Sequence, residues 1–524
     1  MTGKNLEAAA LSKVMQEFLG SASAAAVLEN GEEIFHFGDD ALSARYSVSG
    51  ERDKALLHLW SAERNTVRRV IDAELKKDHL LLHVQRFGQA KPSKLEIVRD
   101  RDRRTPAAKK AARLVYQQLL TRVLERAFPD WKLDRLSSAM DLERSFGPIY
   151  ARGMLRRGRS AFAVLGVNAQ ESQASVDAAL TFGLLWLHAC REKYAAQLAV
   201  EGVRLFVPAG SSAVLRERIA CLNHAAAKFE LYELAERERS LEQMDCSDRG
   251  NIKTHLVRCV DQRAAGERFH DAIERVLSLA GVTREQLEWV ALSAAEIAFR
   301  RNGLEFARAR VAHAASGLQS AHEIVFGTGA NETRLSDEMA PLFAALTTQL
   351  FESRRPEGQR SDPLWRMQPE RWLESLVVRD VCAIESGLER SAVYSQVPAF
   401  SASDRAMIDV LTCTREGRLV VVELKADEDI HLPLQGLDYW ARVTWHHARA
   451  EFQKYGYFAG RELSPQAPQL ILVAPALRVH PSTDVLLRYL SPEIEWTLAG
   501  IDERWREGVK VVFRKRSQAR VASV

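Results

Sequence analysis

Apolar and polar residues alternate from about residue 24 to 100, in EEIFHF, ARYSVS, ALLHLW, HLLLHVQRF and KLEIVR, with polar turns between them. Period two marks strands with one buried face, so this stretch predicts a small β-rich domain, a half-barrel or a sandwich. The period then lengthens. From Pro106 to Phe128 the pattern is that of a long amphipathic helix, with Thr105 as N-cap and Pro106 at its first position. Between about 135 and 240 strand and helix patterns alternate: SAFAVLGV as a buried strand, VDAALTFGLLWLHAC as a helix, VRLFVP and FELYEL as further strands. Residues 262 to 350 read as mostly helical, apart from a hairpin, IAFRRNGLEFARA, turned at Asn302-Gly303. The polar run SRRPEGQRSDP, from Ser353 to Pro363, marks a linker.

These patterns predict a multi-domain α/β protein. A β-rich domain with a basic helix occupies 1–130, an α/β segment 131–245, a mainly helical connector 246–352 and a second α/β domain 364–515. The length of 524 residues suits several cores rather than one. Hydrophobic residues at 46% and charged ones at 27% are ordinary for a soluble globular chain. Six scattered cysteines without a Cys-x-x-Cys pair argue against a zinc site and a disulfide framework, and for reduced thiols in a cytoplasm. The first twenty residues read as an amphipathic helix rather than a secretion signal, and no segment reaches the roughly 18 apolar residues of a membrane span.

The net charge of +4 permits a nucleic-acid partner without requiring one, so its distribution matters more. Residues 91 to 126 hold eleven basic side chains against four acidic ones. Arg101, Arg103, Arg104, Lys109 and Lys110 lie at the centre of this run. It reads either as a solvated turn and helix face or as a phosphate-backbone contact with salt-dependent affinity.

The chemistry-bearing residues cluster near the C-terminus. A helix, PERWLESLVVRD, carries Glu374; a strand, RAMIDVLTC, carries Asp409; after a turn, LVVVELKA carries Glu423 and Lys425. A helix with Gln435 and Tyr439 follows. Residues two apart on a strand face the same way, so Glu423 and Lys425 share a face. Two carboxylates on neighbouring strands can hold a hard divalent cation, which prefers oxygen ligands, and a lysine beside them can orient an attacking water. The rest of LVVVELKA is apolar, as a central buried strand should be, and opposite charges at its end would be costly there without partners.

This array resembles the PD-(D/E)XK nuclease superfamily, and most of all its RecB-like branch, over about residues 365 to 515. The resemblance implies a restriction-endonuclease-like α/β/α core and a nuclease that uses Mg2+ or Mn2+. Asp409 and Glu423 would be metal ligands, with the Leu424 carbonyl contributing. Lys425 would position the water, Glu374 would lie near the metal, and Gln435 and Tyr439 would support the site. The sequence departs from the nominal pattern in having Ile408 where a proline often precedes the first aspartate.

Self-comparison adds a further expectation. Residues 148–190 align without gaps on 407–449, so that PIYARGMLRRGRSAFAVLGV lies under MIDVLTCTREGRLVVVELKA. Tyr150 then falls at Asp409, Val164 at Glu423 and Gly166 at Lys425, which predicts a degenerate, pseudonuclease copy unable to bind metal. Other motifs carry less. The run EIVFGTGANET lacks the ending of a nucleotide-triphosphate loop and reads as a turn. Adjacent His446 and His447 face different ways on a helix and read as packing residues. The expected function is a metal-dependent nuclease acting on DNA rather than RNA, in repair or defence, with a homodimer as one arrangement for cutting two strands. The alternative is a catalytically silent or ligand-gated nucleic-acid-binding scaffold.

Overall fold

The computed structural model describes residues 8–21, 25–29, 32–37, 45–51, 54–60, 65–76, 79–85, 93–99, 106–141, 144–248, 252, 254–312, 321–327, 332–401 and 407–517. The chain forms two compact units, Met1–Gln118 and Leu119–Val524.

In the first unit α1 (Ala8–Gly20) precedes seven strands: β1 (Ala25–Glu29), β2 (Glu32–Phe37), β3 (Arg45–Glu51), β4 (Lys54–Trp60), β5 (Asn65–Lys76), β6 (His79–Gln85) and β7 (Ser93–Arg99). They form one antiparallel sheet in the order β2-β1-β7-β6-β5-β4-β3. The alternation read from the sequence is literal in β6, where Leu80, Leu82 and Val84 turn inward and share a core with Leu11, Met15 and Phe18 of α1. This is a single sheet backed by a helix, so it is not a two-sheet sandwich. The unit boundary falls within α2 (Pro106–Ala127). Arg101, Arg103, Arg104 and the expected N-cap Thr105 lie outside the described residues, and of Lys109 and Lys110 only the backbone, in α2, is described.

The second unit holds three sheets. The first is built from β8 (Lys132–Leu133), β9 (Ala151–Arg157), β10 (Ser160–Gly166), β11 (Ala199–Pro208), β12 (Lys228–Ala235) and β13 (Ser240–Met244), with α3 (Gln173–Asp177) and α4 (Ala179–Tyr194) before β11 and α5 (Ala213–Ala220) after it. Strands β8, β9 and β10 run antiparallel in turn, β10, β11 and β12 are parallel, and β13 returns antiparallel.

The connector corrects the expectation of a mainly helical segment. After β14 (Thr254–Leu256), α6 (Gln262–Arg268) and α7 (His270–Ala280) come β15 (Glu288–Ser293), β16 (Glu296–Arg301), β17 (Leu304–Ala312), β18 (Ala321–Phe326) and β19 (Thr333–Arg334), then α8 (Ala340–Ser353). Strands β15 to β19 make a five-stranded antiparallel sheet. Its Ala, Arg and Glu content suits helices, but period two prevails: Ile297 and Phe299, like Ala307 and Ala309, turn into one core with Ile324 and Phe326. The hairpin at Asn302-Gly303 is present as expected, joining β16 to β17. EIVF of the Gly-rich run lies in β18, while residues 328–331 lie outside the described residues.

The last sheet follows α9 (Pro363–Arg366) and α10 (Pro369–Arg379). It comprises β20 (Tyr394–Ser401), β21 (Met407–Cys413), β22 (Leu419–Leu424), β23 (Gln469–Pro475), β24 (Trp496–Ile501) and β25 (Val511–Arg516), with β14 added at the edge. α11 (Leu432–His447) and α12 (Glu451–Lys454) link β22 to β23, and α13 (Thr483–Leu487) links β23 to β24. Directions repeat those of β8 to β13: β20, β21 and β22 antiparallel, β22, β23 and β24 parallel, β25 antiparallel. Every residue of β22 is buried, as its run of valines predicts. His446 is buried and hydrogen-bonds Glu451 at 2.5 Å and Thr254 at 3.1 Å, whereas His447 meets the Ser464 carbonyl at 2.9 Å. Among the described residues no helix is long and apolar enough to cross a membrane, and all six cysteines are free thiols.

Candidate active site

The hairpin of β21 and β22 brings Asp409 and Glu423 together at the end of the sheet's central strands. Val410 pairs with Val422, so Asp409 stands beside Glu423 one step further along. The Leu424 N–H donates to Asp409 Oδ2 at 3.0 Å, which fixes the carboxylate against the strand end. Lys425 Nζ lies 3.3 Å from Glu423 Oε1 and 3.8 Å from Asp429 Oδ2. α11 covers this face closely because Gly436 leaves no side chain there; a Cβ would sit 2.5 Å from Leu472 of β23. Its close seating carries Gln435 and Tyr439 over the same strands.

The electrostatics are those of a site built to hold charge. Glu423 is 2% exposed. Burial first, then the charge of Asp409, pushes its carboxyl well above the usual range, against the pull of Lys425. Burial works against the Lys425 ammonium, but Glu423, Asp429 and Asp409 more than offset it and raise its pKa. Burial, with the charges of Glu423 and Asp409 behind it, raises the Tyr439 phenol. Two buried oxygens, Glu423 Oε2 and Gln435 Oε1, have no hydrogen-bond partner. Unpartnered buried acceptors are costly and need an explanation such as a bound ion or water. Carboxylate oxygens are the donors a hard divalent cation takes, so adjacent Asp409 and Glu423 fit such a group. Among the described residues no group of three or more His, Cys, Asp and Glu side chains is placed to hold a metal ion.

Glu374 enters from α10. Arg371 donates to its Oε2 at 3.0 Å and Gln396 Nε2 to the same oxygen at 2.7 Å. Burial pushes its pKa up to about 7 despite Arg371, with the Asp409 charge adding to the rise. Gln396 also reaches Asp409 Oδ1 at 3.4 Å and so bridges the two carboxylates. A cleft of about 330 Å³ opens on the outer side of Glu374, lined by Arg300, Arg371, Arg379, Glu288 and Trp289.

Glu374, Asp409, Glu423, Gln435 and Tyr439 lie on α10, β21, β22 and α11 as expected, while Lys425 falls one residue past the end of β22; hydrogen bonds and ion pairs join Glu374, Asp409, Glu423 and Lys425 around that strand end. Gln396, Arg371, Asp429 and Arg300 were not anticipated. A polar side chain within the apolar run of SAVYSQVPAF was the available signal for Gln396; Arg300 comes from the connector sheet, which no spacing rule links to the site.

The first sheet carries different residues at the corresponding positions. Val167 N–H donates to Phe206 O at 3.0 Å just as Lys425 N–H donates to Val473 O at 2.9 Å. Gly183 of α4 would meet Leu205 of β11 at 2.6 Å, as Gly436 meets Leu472. With these anchors Leu165 corresponds to Glu423 and its hairpin partner Arg152 to Asp409. Phe182 and Trp186 then correspond to Gln435 and Tyr439. The ungapped alignment, which set Tyr150, Val164 and Gly166 there, is therefore corrected. The β9–β10 turn is shorter than the β21–β22 turn, so one offset cannot serve both strands, and an odd slip swaps faces. Buried Arg152 lies 4.4 Å from the Phe146 ring centroid and 5.8 Å from that of Trp186, and Phe182 packs on Tyr150 at 4.9 Å. Rings and a guanidinium fill the place where the other sheet holds carboxylates.

No protein-family model matches the chain. No curated protein matches it either. Among solved structures, the crystal structure of a repair endonuclease from Pyrococcus abyssi is similar at 10% identity and a TM-score of 0.15, covering 44% of this chain and 97% of that one. The structure of an EndoMS–dsDNA complex is similar at 15% identity and a TM-score of 0.17, covering 44% of this chain and 96% of that one. At these identities and TM-scores neither likeness carries weight for fold or function.

Proposed function

We propose that the chain is a metal-dependent nuclease that hydrolyses phosphodiester bonds of DNA, with a PD-(D/E)XK-type site in a restriction-endonuclease-like last domain. The observation that carries this reading is the pair of adjacent carboxylates, Asp409 and Glu423, with Glu423 Oε2 unpartnered and Lys425 Nζ 3.3 Å from Glu423 Oε1. Asp409, Glu423 and the Leu424 carbonyl would hold a magnesium or manganese ion. When bound, such an ion supplies positive charge for the phosphorus oxygens and a more acidic water. Lys425, flanked by three carboxyl groups, keeps its ammonium and donates hydrogen bonds that orient the attacking water and a phosphate oxygen. Gln435 and Tyr439 wall the site from α11. Glu374, joined to Asp409 through Gln396, is a positioning residue. The arginine-lined cleft beside Glu374 suits an anionic backbone approaching the site, and the basic run containing Arg101, Arg103, Arg104, Lys109 and Lys110 is a second candidate phosphate contact.

The test is incubation of the purified chain with end-labelled single-stranded DNA, duplex DNA and RNA, in Mg2+, Mn2+ or EDTA. Cleavage of DNA that needs the metal is expected. Binding without cleavage on every substrate and with either metal would instead favour the silent scaffold.

A further inference from the structure

The two six-strand lobes of the larger unit are related by an internal two-fold, and we propose that the chain therefore incises one strand of a duplex, leaving a nick rather than a double-strand break. This rests on the nuclease reading above.

The symmetry is visible at three levels. Strand order and direction are the same in β8 to β13 and in β20 to β25. The helices after the hairpins, α4 and α11, each have 16 residues and the same close-packed glycine, Gly183 or Gly436. The contact between lobes is reciprocal: α4 packs on α13, while α11 packs on α5. At its centre Leu222, just after α5, forms an antiparallel bridge with Leu490, just after α13. Asn223 N–H donates to Tyr489 O at 2.8 Å, and Ser491 N–H donates back to Cys221 O at 3.0 Å. Arg218 of α5 closes the seam on Asp438 of α11 at 2.7 Å. A self-complementary patch in which each partner repeats the other's contacts is the mark of a two-fold dimer, here made within one chain.

In a two-fold nuclease the symmetry of the protein matches that of the antiparallel duplex, and each of two equivalent centres cuts its own strand. Here the operation carries Asp409, Glu423 and Lys425 onto Arg152, Leu165 and Val167. A guanidinium and two apolar side chains offer no oxygen to a cation, and the pocket is closed by Phe146, Phe182 and Trp186. A duplex lying across the axis thus meets one hydrolytic centre: water adds to one phosphorus, one P–O bond breaks, and the opposite strand keeps its phosphodiester.

The experiment is a time course on supercoiled plasmid in Mg2+ or Mn2+, with sedimentation fixing the chain's mass at the same concentration. A short duplex labelled on either strand is cut alongside. Nicked circles as nearly all of the early product, with linear DNA appearing only after repeated nicking, is the expected result, and Lys425→Ala should abolish both products. Linear DNA forming as a first product, in parallel with nicked circles or with a rate that rises as the square of chain concentration, would overturn the proposal. Cleavage of single-stranded oligonucleotides with the plasmid untouched would overturn it while sparing the nuclease reading; no cleavage of any DNA would remove both.

Discussion

A carboxyl group that is 2% exposed, with one oxygen unpartnered, sits in the chain only if something repays its desolvation. Glu423 has Lys425 on one side and Asp409 on the other, and under the proposed function a divalent cation would offset the repulsion between the two carboxylates. Glu423→Gln keeps the shape and removes the charge. It should cut metal-dependent cleavage by at least about 100-fold while leaving the unfolding temperature unchanged or higher. These residues were legible in the sequence because charge interrupts an otherwise apolar strand. Gln396 stood out only as a polar residue in an apolar run; its bridge from Glu374 to Asp409 uses a left-handed backbone, φ 51°, that no spacing announces. Burial lowers the His446 pKa, with Glu451 opposing, so the fold favours the neutral ring. Its contribution to stability is present above the unfolded value of 6.5 and is lost as pH falls through the folded one. Urea unfolding should therefore show stability declining from pH 7 towards 5, and His446→Gln should flatten that decline; an unchanged slope would remove His446 from the account.

At the scale of elements, the position of α10 decides where Glu374 lies, and a neighbouring hairpin sets that position. Gly303, at φ 75°, meets the Arg371 carbonyl so closely that a Cβ would lie 2.0 Å from it. Fully buried Arg354 gathers the carbonyls of Arg301, Asn302, Leu364, Met367 and Gln368, tying the hairpin tip to the start of α10. Gly303→Val should cost about 1–3 kcal/mol through overpacking and backbone strain. Because Glu374 shifts with α10, cleavage should fall by more than the loss of folded protein explains; calorimetry and rates on the same sample decide this. Arg354→Met leaves several carbonyls without donors and should cost about 3 kcal/mol or more, read as a lower urea midpoint. The hairpin turn itself was legible from Asn302-Gly303. The sheet around it was not, because Ala, Arg and Glu signal helix locally and only packing on α6, α7 and α8 rewards the period-two pattern.

For the whole molecule, the repeated lobes were traceable by comparing the chain with itself, but the equivalences slipped. Each hairpin has its own turn length, and an ungapped comparison cannot absorb that difference. Only the ladder anchors, Val167 with Lys425 and Gly183 with Gly436, restore the register. In that register the pocket of the first lobe is occupied by Arg152 and aromatic rings rather than simply emptied of carboxylates. The first lobe packs on the last through the Leu222–Leu490 bridge and the Arg218–Asp438 pair.

Under the proposed function Asp409, Glu423 and Lys425 form a metal-dependent hydrolytic centre. The most direct measurement is the Mg2+-dependent cleavage rate of duplex DNA by wild type and by Glu423→Gln, at equal folded concentration. A rate that disappears with EDTA in the wild type and drops at least about 100-fold in the variant is the predicted result. Equal rates in the two proteins, or cleavage indifferent to EDTA, would contradict it.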